Sequence, residues 1–247
     1  MKWIKNILGT LLAVWALILF SVTMIIVFIP IWLTSLIKDP AGTELFRKIC
    51  LVWMDTFLFM LGCVIKRRGT EHFRKGQTYV VVCNHRSLMD VPLSTPHIPG
   101  PNKTIAKKEL AKIPIFGMVY KRGSILVDRK SDESRRRSMD EMKKVLAQGM
   151  HMCIYPEGTR NKTANPLKSF YDGAFKLASD TGTPIIPAII FNTDKVLPNN
   201  KSFYVWPHRM SIHFLPEIPV EKNQNVATLR DQVYQIMWDF YEENKKL

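Results

Sequence analysis

Residues 79–90 read Tyr-Val-Val-Val-Cys-Asn-His-Arg-Ser-Leu-Met-Asp, and the change of character halfway along decides the fold. Residues 79–83 are apolar, β-branched in the middle and too few for a helix, which is the signature of a buried strand. Ser87 then suits a helix N-cap, with Asp90 three residues on as a short capping box. A buried strand feeding a helix is the unit of an α/β domain, and the rest of the chain repeats the alternation. Residues 124–127, 152–155 and 185–190 read as further buried strands. Residues 131–146, 170–178 and 226–241 read as amphipathic helices. In the last of these, Leu229, Val233, Ile236, Met237 and Phe240 form a core-facing stripe. Residues 203–206 and 210–215 flank Pro207-His208-Arg209 and are expected to form a hairpin. The expectation is an α/β fold, a mixed sheet flanked by helices, over residues 66–247.

Upstream, the character changes from globular to lipid-like. Residues 7–37 contain no Asp, Glu, Lys, Arg or His, a run too long for the apolar region of a signal peptide, about 7–15 residues. As a helix it measures about 46 Å, against a hydrocarbon core of about 30 Å. Pro30 is expected to kink it or end its straight part, and residues 38–42 read as a turn. A second apolar stretch, residues 49–65, carries Asp55 in its middle and ends in Lys66-Arg67-Arg68, which suits anionic headgroups. Residues 1–65 are therefore expected to form a membrane-embedded helical hairpin. Two arrangements fit it: both helices span, or both lie in one leaflet as a monotopic anchor with Asp55 near the headgroups.

The 247 residues carry 35 Lys and Arg against 21 Asp and Glu, a net charge of +14. Residues 101–150 alone hold 13 basic and 6 acidic residues. Such a balance points to an anionic partner: a phospholipid surface, a phosphorylated substrate or a nucleic acid. No nucleic-acid-binding module is present, and neither a G-x-G-x-x-G nor a Walker A pattern appears, which disfavours nucleotide cofactors. The four cysteines form no C-x-x-C pair and have no His at zinc spacing. A reduced, cytoplasm-facing protein without a structural metal is the simplest reading.

Two motifs carry chemistry. In the first, Asp90 lies in the first helical turn, within reach of His85 just before the cap. An ionised carboxylate there fixes the imidazole tautomer and stabilises the imidazolium formed when His85 takes a proton. No Ser or Cys nucleophile is required if the substrate brings its own hydroxyl. The second motif, Tyr155-Pro156-Glu157-Gly158-Thr159-Arg160, also follows an apolar strand. Gly158 admits a ligand close to the backbone, Thr159 offers a hydroxyl, and the Arg160 fork matches phosphate oxygens. Glu157 either orients Arg160 or simply pairs with it. Lys107, Lys108 and Arg129 are further candidates to face a phosphate, whereas Arg135-Arg136-Arg137 read as a solvated face. Each motif also has a plainer reading, in which Asp90 only caps a helix and Arg160 only decorates a turn.

In order along the chain, these pieces resemble the glycerolipid acyltransferases, and most closely the bacterial 1-acyl-sn-glycerol-3-phosphate acyltransferases. The family's N-H-x-x-x-x-D matches Asn84, His85 and Asp90. Its glycine, apolar strand and Asp-Arg match residues 123–129, with Leu126-Val127 where Phe-Ile is frequent. Its P-E-G-T-R matches residues 156–160 without change, and its Pro-containing strand matches Ile185-Ile186-Pro187. The likeness covers roughly residues 66–220.

The resemblance implies transfer of a fatty acyl group from acyl-CoA or acyl carrier protein to the sn-2 hydroxyl of lysophosphatidic acid, giving phosphatidic acid. It implies His85 as general base oriented by Asp90. Glu157, Gly158, Thr159 and Arg160 would hold the substrate phosphate, with Arg129, Lys107 and Lys108 as possible helpers. Backbone amides at the start of the following helix are expected to stabilise the oxyanion. No metal or prosthetic group is implied. The expected location is the cytoplasmic (inner) membrane, with the catalytic domain facing the cytoplasm and the phospholipid bilayer as partner. Other readings are transfer to a different lysolipid, transacylation from a phospholipid, hydrolysis of acyl thioesters, and non-enzymatic binding to membranes.

Overall fold

The computed structural model describes residues 2–128 and 130–245. Seven strands build one sheet: β1 (Val64–Arg68), β2 (Val80–Cys83), β3 (Asn102–Lys107), β4 (Ser124–Val127), β5 (His151–Ile154), β6 (Ile185–Phe191) and β7 (Arg209–Phe214). Their order is β1-β7-β6-β2-β5-β3-β4. Every neighbouring pair is parallel except β6 and β7. The helices are α1 (Lys2–Leu33), α2 (Ala41–Met60), α3 (Asp90–His97), α4 (Phe116–Gly123), α5 (Asp132–Ala147), α6 (Gly173–Thr181), α7 (Thr193–Val196) and α8 (Val226–Asn244). The expected mixed α/β sheet flanked by helices is the observed architecture.

The central strands are buried on both faces, as near-continuous apolar runs must be. Val81, Cys83, Cys153, Ile186 and Ile212 point toward α1, α2 and α3, where they join Trp53, Phe57, Leu58 and Leu93. Val80, Val82, Met152, Ile154 and Ile189 point the other way, toward Met142, Phe175, Leu177, Leu229 and Met237 of α5, α6 and α8. Sequence signals hold at both long amphipathic helices. Ser131 caps α5 by accepting from the Ser134 N–H at 3.2 Å, and Asn225 caps α8 by accepting from Thr228 at 3.0 Å. In the α8 stripe Leu229, Val233 and Met237 are fully buried, but Ile236 is exposed.

Two expectations need correction, and one omission is added. Residues 203–206 make no hairpin with β7. Instead the Val205 N–H donates to the Gly9 carbonyl of α1 at 3.1 Å, and Trp206 N–H donates to Val196 at 3.0 Å. Tyr204 lies so close over Gly9 that a Cβ there would sit 2.0 Å from its ring. That leaves β7 to pair with β1 and β6. Secondly, residues 49–65 are not one helix. Helix α2 begins earlier, at Ala41, with Glu44 paired to Arg47 and Lys48 on its first turns. It ends at Met60, and Val64 and Ile65 already belong to β1. Thirdly, β1 and β3 were not legible as strands, because charged residues interrupt their apolar pattern.

Helix α1 runs through Pro30 and tightens into a 3-10 turn at Thr34–Leu36. Among the described residues this segment, Trp3–Leu36, is the one long and apolar enough to cross a membrane. Both of its ends are tied to the domain. Lys201 Nζ donates to Asn6 at 2.9 Å near the start, and Arg122 Nη2 donates to the Thr34 carbonyl at 3.3 Å near the end. The following turn is held as firmly, since Asp39 pairs with Lys103 and Arg122, each at 2.8 Å. Asp55, on α2, accepts from the buried His97 of α3 at 2.9 Å.

Candidate active site

The site sits at the C-terminal ends of β2 and β5, adjacent parallel strands. In open α/β sheets ligands bind at that edge, because the loops leaving neighbouring strands converge there. Asn84 ends β2 by copying a backbone ladder: its Nδ2 donates to the Ile190 carbonyl at 3.0 Å and its Oδ1 accepts from the Ile190 N–H at 2.7 Å. The next residue, His85, is thereby launched from a fixed point.

His85 Nδ1 donates to Asp90 Oδ2 at 2.8 Å, which leaves Nε2 as the proton acceptor. The same Asp90 oxygen accepts from the N–H groups of Arg86 at 2.6 Å and Ser87 at 2.7 Å, while Oδ1 accepts from the Thr193 hydroxyl. Asp90 is fully buried, whereas the His85 side chain is 18% exposed, so the imidazole alone meets a ligand. Behind it the Tyr155 ring packs at 4.7 Å, its hydroxyl bonded to Ser94. Ser87 Oγ accepts from the Met89 N–H at 3.2 Å, but α3 starts after Met89 without a side-chain cap, so of the expected capping box only the Asp90 bond to the Ser87 N–H forms. The amides of Arg86, Ser87, Met89 and Asp90 all have acceptors within the turn, so these four are not free to face an oxyanion.

The loop after β5 grips the backbone of His85 on both sides. Glu157 Oε1 accepts from the His85 N–H at 2.8 Å, and the Asn161 N–H donates to the His85 carbonyl at 2.6 Å. The second Glu157 oxygen accepts from Lys168 N–H at 3.1 Å. Burial pushes the Glu157 carboxyl up to about 7, against the two N–H donors that favour its charge. Glu157 therefore departs from the expected substrate-binding role: it is fully buried, its carboxylate holds backbone, and it makes no pair with Arg160.

Arg160 Nη1 donates to Asn199 Oδ1 at 2.7 Å, and Asn199 Nδ2 in turn donates to the Arg86 carbonyl. The guanidinium is thus tethered one residue from His85. Thr159 is exposed and accepts from Lys168 Nζ at 2.8 Å. Gly158 has φ +69°, with the exposed Tyr171 ring 2.7 Å from where a Cβ would stand. Lys107 and Lys108 are exposed at the end of β3, and among the described residues no bond links them to this cluster. Arg129 lies outside the described residues.

Sequence reading missed several residues that hold the site. Arg86 reaches Asp194 at 3.3 Å and the Asn165 carbonyl at 2.9 Å, and Ser87 Oγ donates to the Leu197 carbonyl at 2.8 Å. Thr193 and Asn199 belong with them. Their partners lie some hundred residues away in sequence, so no local pattern announces them.

A family model described as acyltransferase matches residues 64–191, which include His85, Asp90 and Arg160. The chain belongs to the acyltransferase family. Relatives of this acyltransferase include the 1-acyl-sn-glycerol-3-phosphate acyltransferase alpha of Ovis aries, 32% identical over 200 residues that cover 79% of this chain and 69% of that protein. The 1-acyl-sn-glycerol-3-phosphate acyltransferase of Borreliella burgdorferi is 30% identical over 183 residues, covering 71% and 72%. The crystal structure of the 1-acyl-sn-glycerophosphate (LPA) acyltransferase PlsC from Thermotoga maritima superposes with a TM-score of 0.80 at 22% identity, over 99% of this chain and 98% of that one. This acyltransferase shares that fold along nearly its whole length.

Proposed function

We propose that the protein transfers a fatty acyl group from an acyl thioester to the sn-2 hydroxyl of lysophosphatidic acid, forming phosphatidic acid at a membrane surface. The observation that carries this reading is the shared strand edge: an Asp-oriented imidazole with Nε2 outward, and a guanidinium tethered one residue away. A lysophosphatidic acid places its phosphate only a few bonds from the reacting hydroxyl, which matches that spacing. Arg160 holds the phosphate, with Thr159 and Lys168 beside it. His85 Nε2 takes the hydroxyl proton as the oxygen attacks the thioester carbonyl. The carbon–sulfur bond breaks, and the imidazolium returns its proton to the leaving thiolate. The names of the relatives support the same acceptor.

The membrane part of the reading rests on α1. Its outer face exposes Trp3, Ile7, Leu11, Trp15, Ile18, Ile25 and Ile29, while both of its ends and the turn after it are bonded to the domain. Those contacts support the arrangement in which α1 and α2 lie in one leaflet, with the turn between them held against the domain. The +14 charge favours the anionic cytoplasmic face of the inner membrane.

The test incubates purified protein with lysophosphatidic acid and either acyl-CoA or acyl carrier protein thioester. Phosphatidic acid is expected, and its formation should collapse in His85→Ala. Free fatty acid released without an acceptor would instead identify a thioester hydrolase. Wild-type turnover by His85→Ala would overturn the proposed base.

A further inference from the structure

The molecule has a second anion-attracting place, away from His85. A cleft of about 500 Å³ opens at the sheet edge between β3, β4, α4 and α5. Among the described residues its charged lining is Lys103, Lys108, Lys121, Arg137 and Lys144, with Glu141 as the one acid. Lys103 is paired with Asp39 and Arg137 with Glu141. Among the described residues, Lys108, Lys121 and Lys144 have no carboxylate within ion-pair distance. Ile125 and Val145 supply a buried apolar floor. A concave site of this volume, with converging cations and an apolar floor, suits a compact polyanion carrying a flat ring.

Position decides which polyanion. β4 lies three steps from β2 in the sheet order, about 14 Å across, and the register sets Ile125 level with Val82, three residues and about 10 Å short of His85, so the cleft floor lies about 17 Å from His85. The phosphate of a lysophosphatidic acid is a few bonds from its reacting hydroxyl and cannot occupy the cleft while that hydroxyl meets Nε2. A coenzyme A thioester has the opposite layout, because its extended pantetheine arm separates the reacting carbonyl from an adenosine carrying three phosphate groups. We propose that this cleft docks the adenosine 3′,5′-bisphosphate head of a coenzyme A thioester, so that donor and acceptor phosphates are held at two separate basic sites. The proposal rests on the acyl-transfer reading above and names its donor. The head sits on Ile125 and Val145 with its phosphates toward Lys108, Lys121 and Lys144, and the arm climbs from the cleft to the C-terminal ends of β3 and β5 and crosses them to His85.

The test pairs binding with kinetics, using the full-length protein in detergent and the charge reversal Lys121→Glu/Lys144→Glu. Calorimetry with adenosine 3′,5′-bisphosphate should show binding to the wild type and its loss in the variant, whether or not transfer is detected. With lysophosphatidic acid as acceptor, the variant's KM for acyl-CoA should rise at least about tenfold. Its KM for lysophosphatidic acid, and its rate with an acyl-pantetheine donor lacking the nucleotide, should not change. Four outcomes would overturn the proposal: no nucleotide binding by the wild type, equal loss with both donors, a rise in the lysophosphatidic acid KM instead, or a defect confined to acyl carrier protein thioester. If the wild type binds the nucleotide but makes no phosphatidic acid, the acceptor reading falls and the cleft stands.

Discussion

His85 and Arg160 divide the work between proton transfer and grip, so their variants should separate in steady-state kinetics. His85→Ala removes a base that acts only in the transition state, and kcat should fall by about 10²–10⁴ with little change in the KM for lysophosphatidic acid. Arg160→Ala removes a contact present in both ground and transition states, so that KM should rise about tenfold or more while kcat changes less. Kinetic curves in which both variants lose only kcat would contradict the division. These residues were legible because the chemistry demands particular side chains at fixed spacings in loops that leave adjacent strands. Glu157 was legible in place but not in role. Its type suggested a partner for Arg160, yet its oxygens serve the backbone of His85 and Lys168, a job that depends on how two loops meet.

Between elements, the strand edge depends on side chains that imitate backbone. Asn84 closes the β2–β6 ladder with two bonds to Ile190, both buried. Asn84→Ala leaves one N–H and one C=O without partners and should cost about 2–4 kcal/mol, read as a lowered unfolding midpoint in detergent. A loss under about 1 kcal/mol would show that water replaces the missing amide. Docking of α1 onto residues 203–206 rests on close approach at Gly9. A Gly9→Val side chain has no room under Tyr204, so the variant should expose that segment to limited proteolysis while the sheet stays folded. The central strands and the long amphipathic helices were legible because burial on one or both faces imposes an apolar period. The edge strand β1 and the strand β3 next to the other edge were not, since half their side chains face solvent or carry charge. Nor was the path of residues 203–206, whose β-like composition serves contact with α1.

For the molecule as a whole, buried titratable groups pull stability in opposite directions with pH. Burial draws the His151 imidazole down to about 4, against the Pro99 carbonyl that favours its charge, while it accepts from the Tyr79 N–H at 3.0 Å. Between about pH 4 and 6.5 the unfolded chain binds a proton at His151 that the folded chain refuses, so stability is lost as pH falls through that window. His97 and His213, also lowered by burial, add to the same slope. Glu157 opposes it. Its folded value near 7 lies above the ordinary glutamate value of 4.5, so the folded chain keeps a proton that the unfolded chain releases, and stability falls as pH rises between them. Shifts of this size correspond to roughly 3 kcal/mol each, which makes the Glu157 and His151 contributions nearly cancel. The wild type should therefore show a shallow dependence of melting temperature on pH from 5 to 7. Glu157→Gln removes the opposing slope, so its melting temperature should drop steeply on acidification from pH 7 to 5. His151→Gln should tilt the other way relative to wild type. The pH-independent cost of misplacing one amide in either variant shifts its whole curve without changing the tilt. Thermal melts of the three proteins across that range decide the matter, and parallel curves would show that neither buried group titrates between pH 5 and 7 in the folded chain.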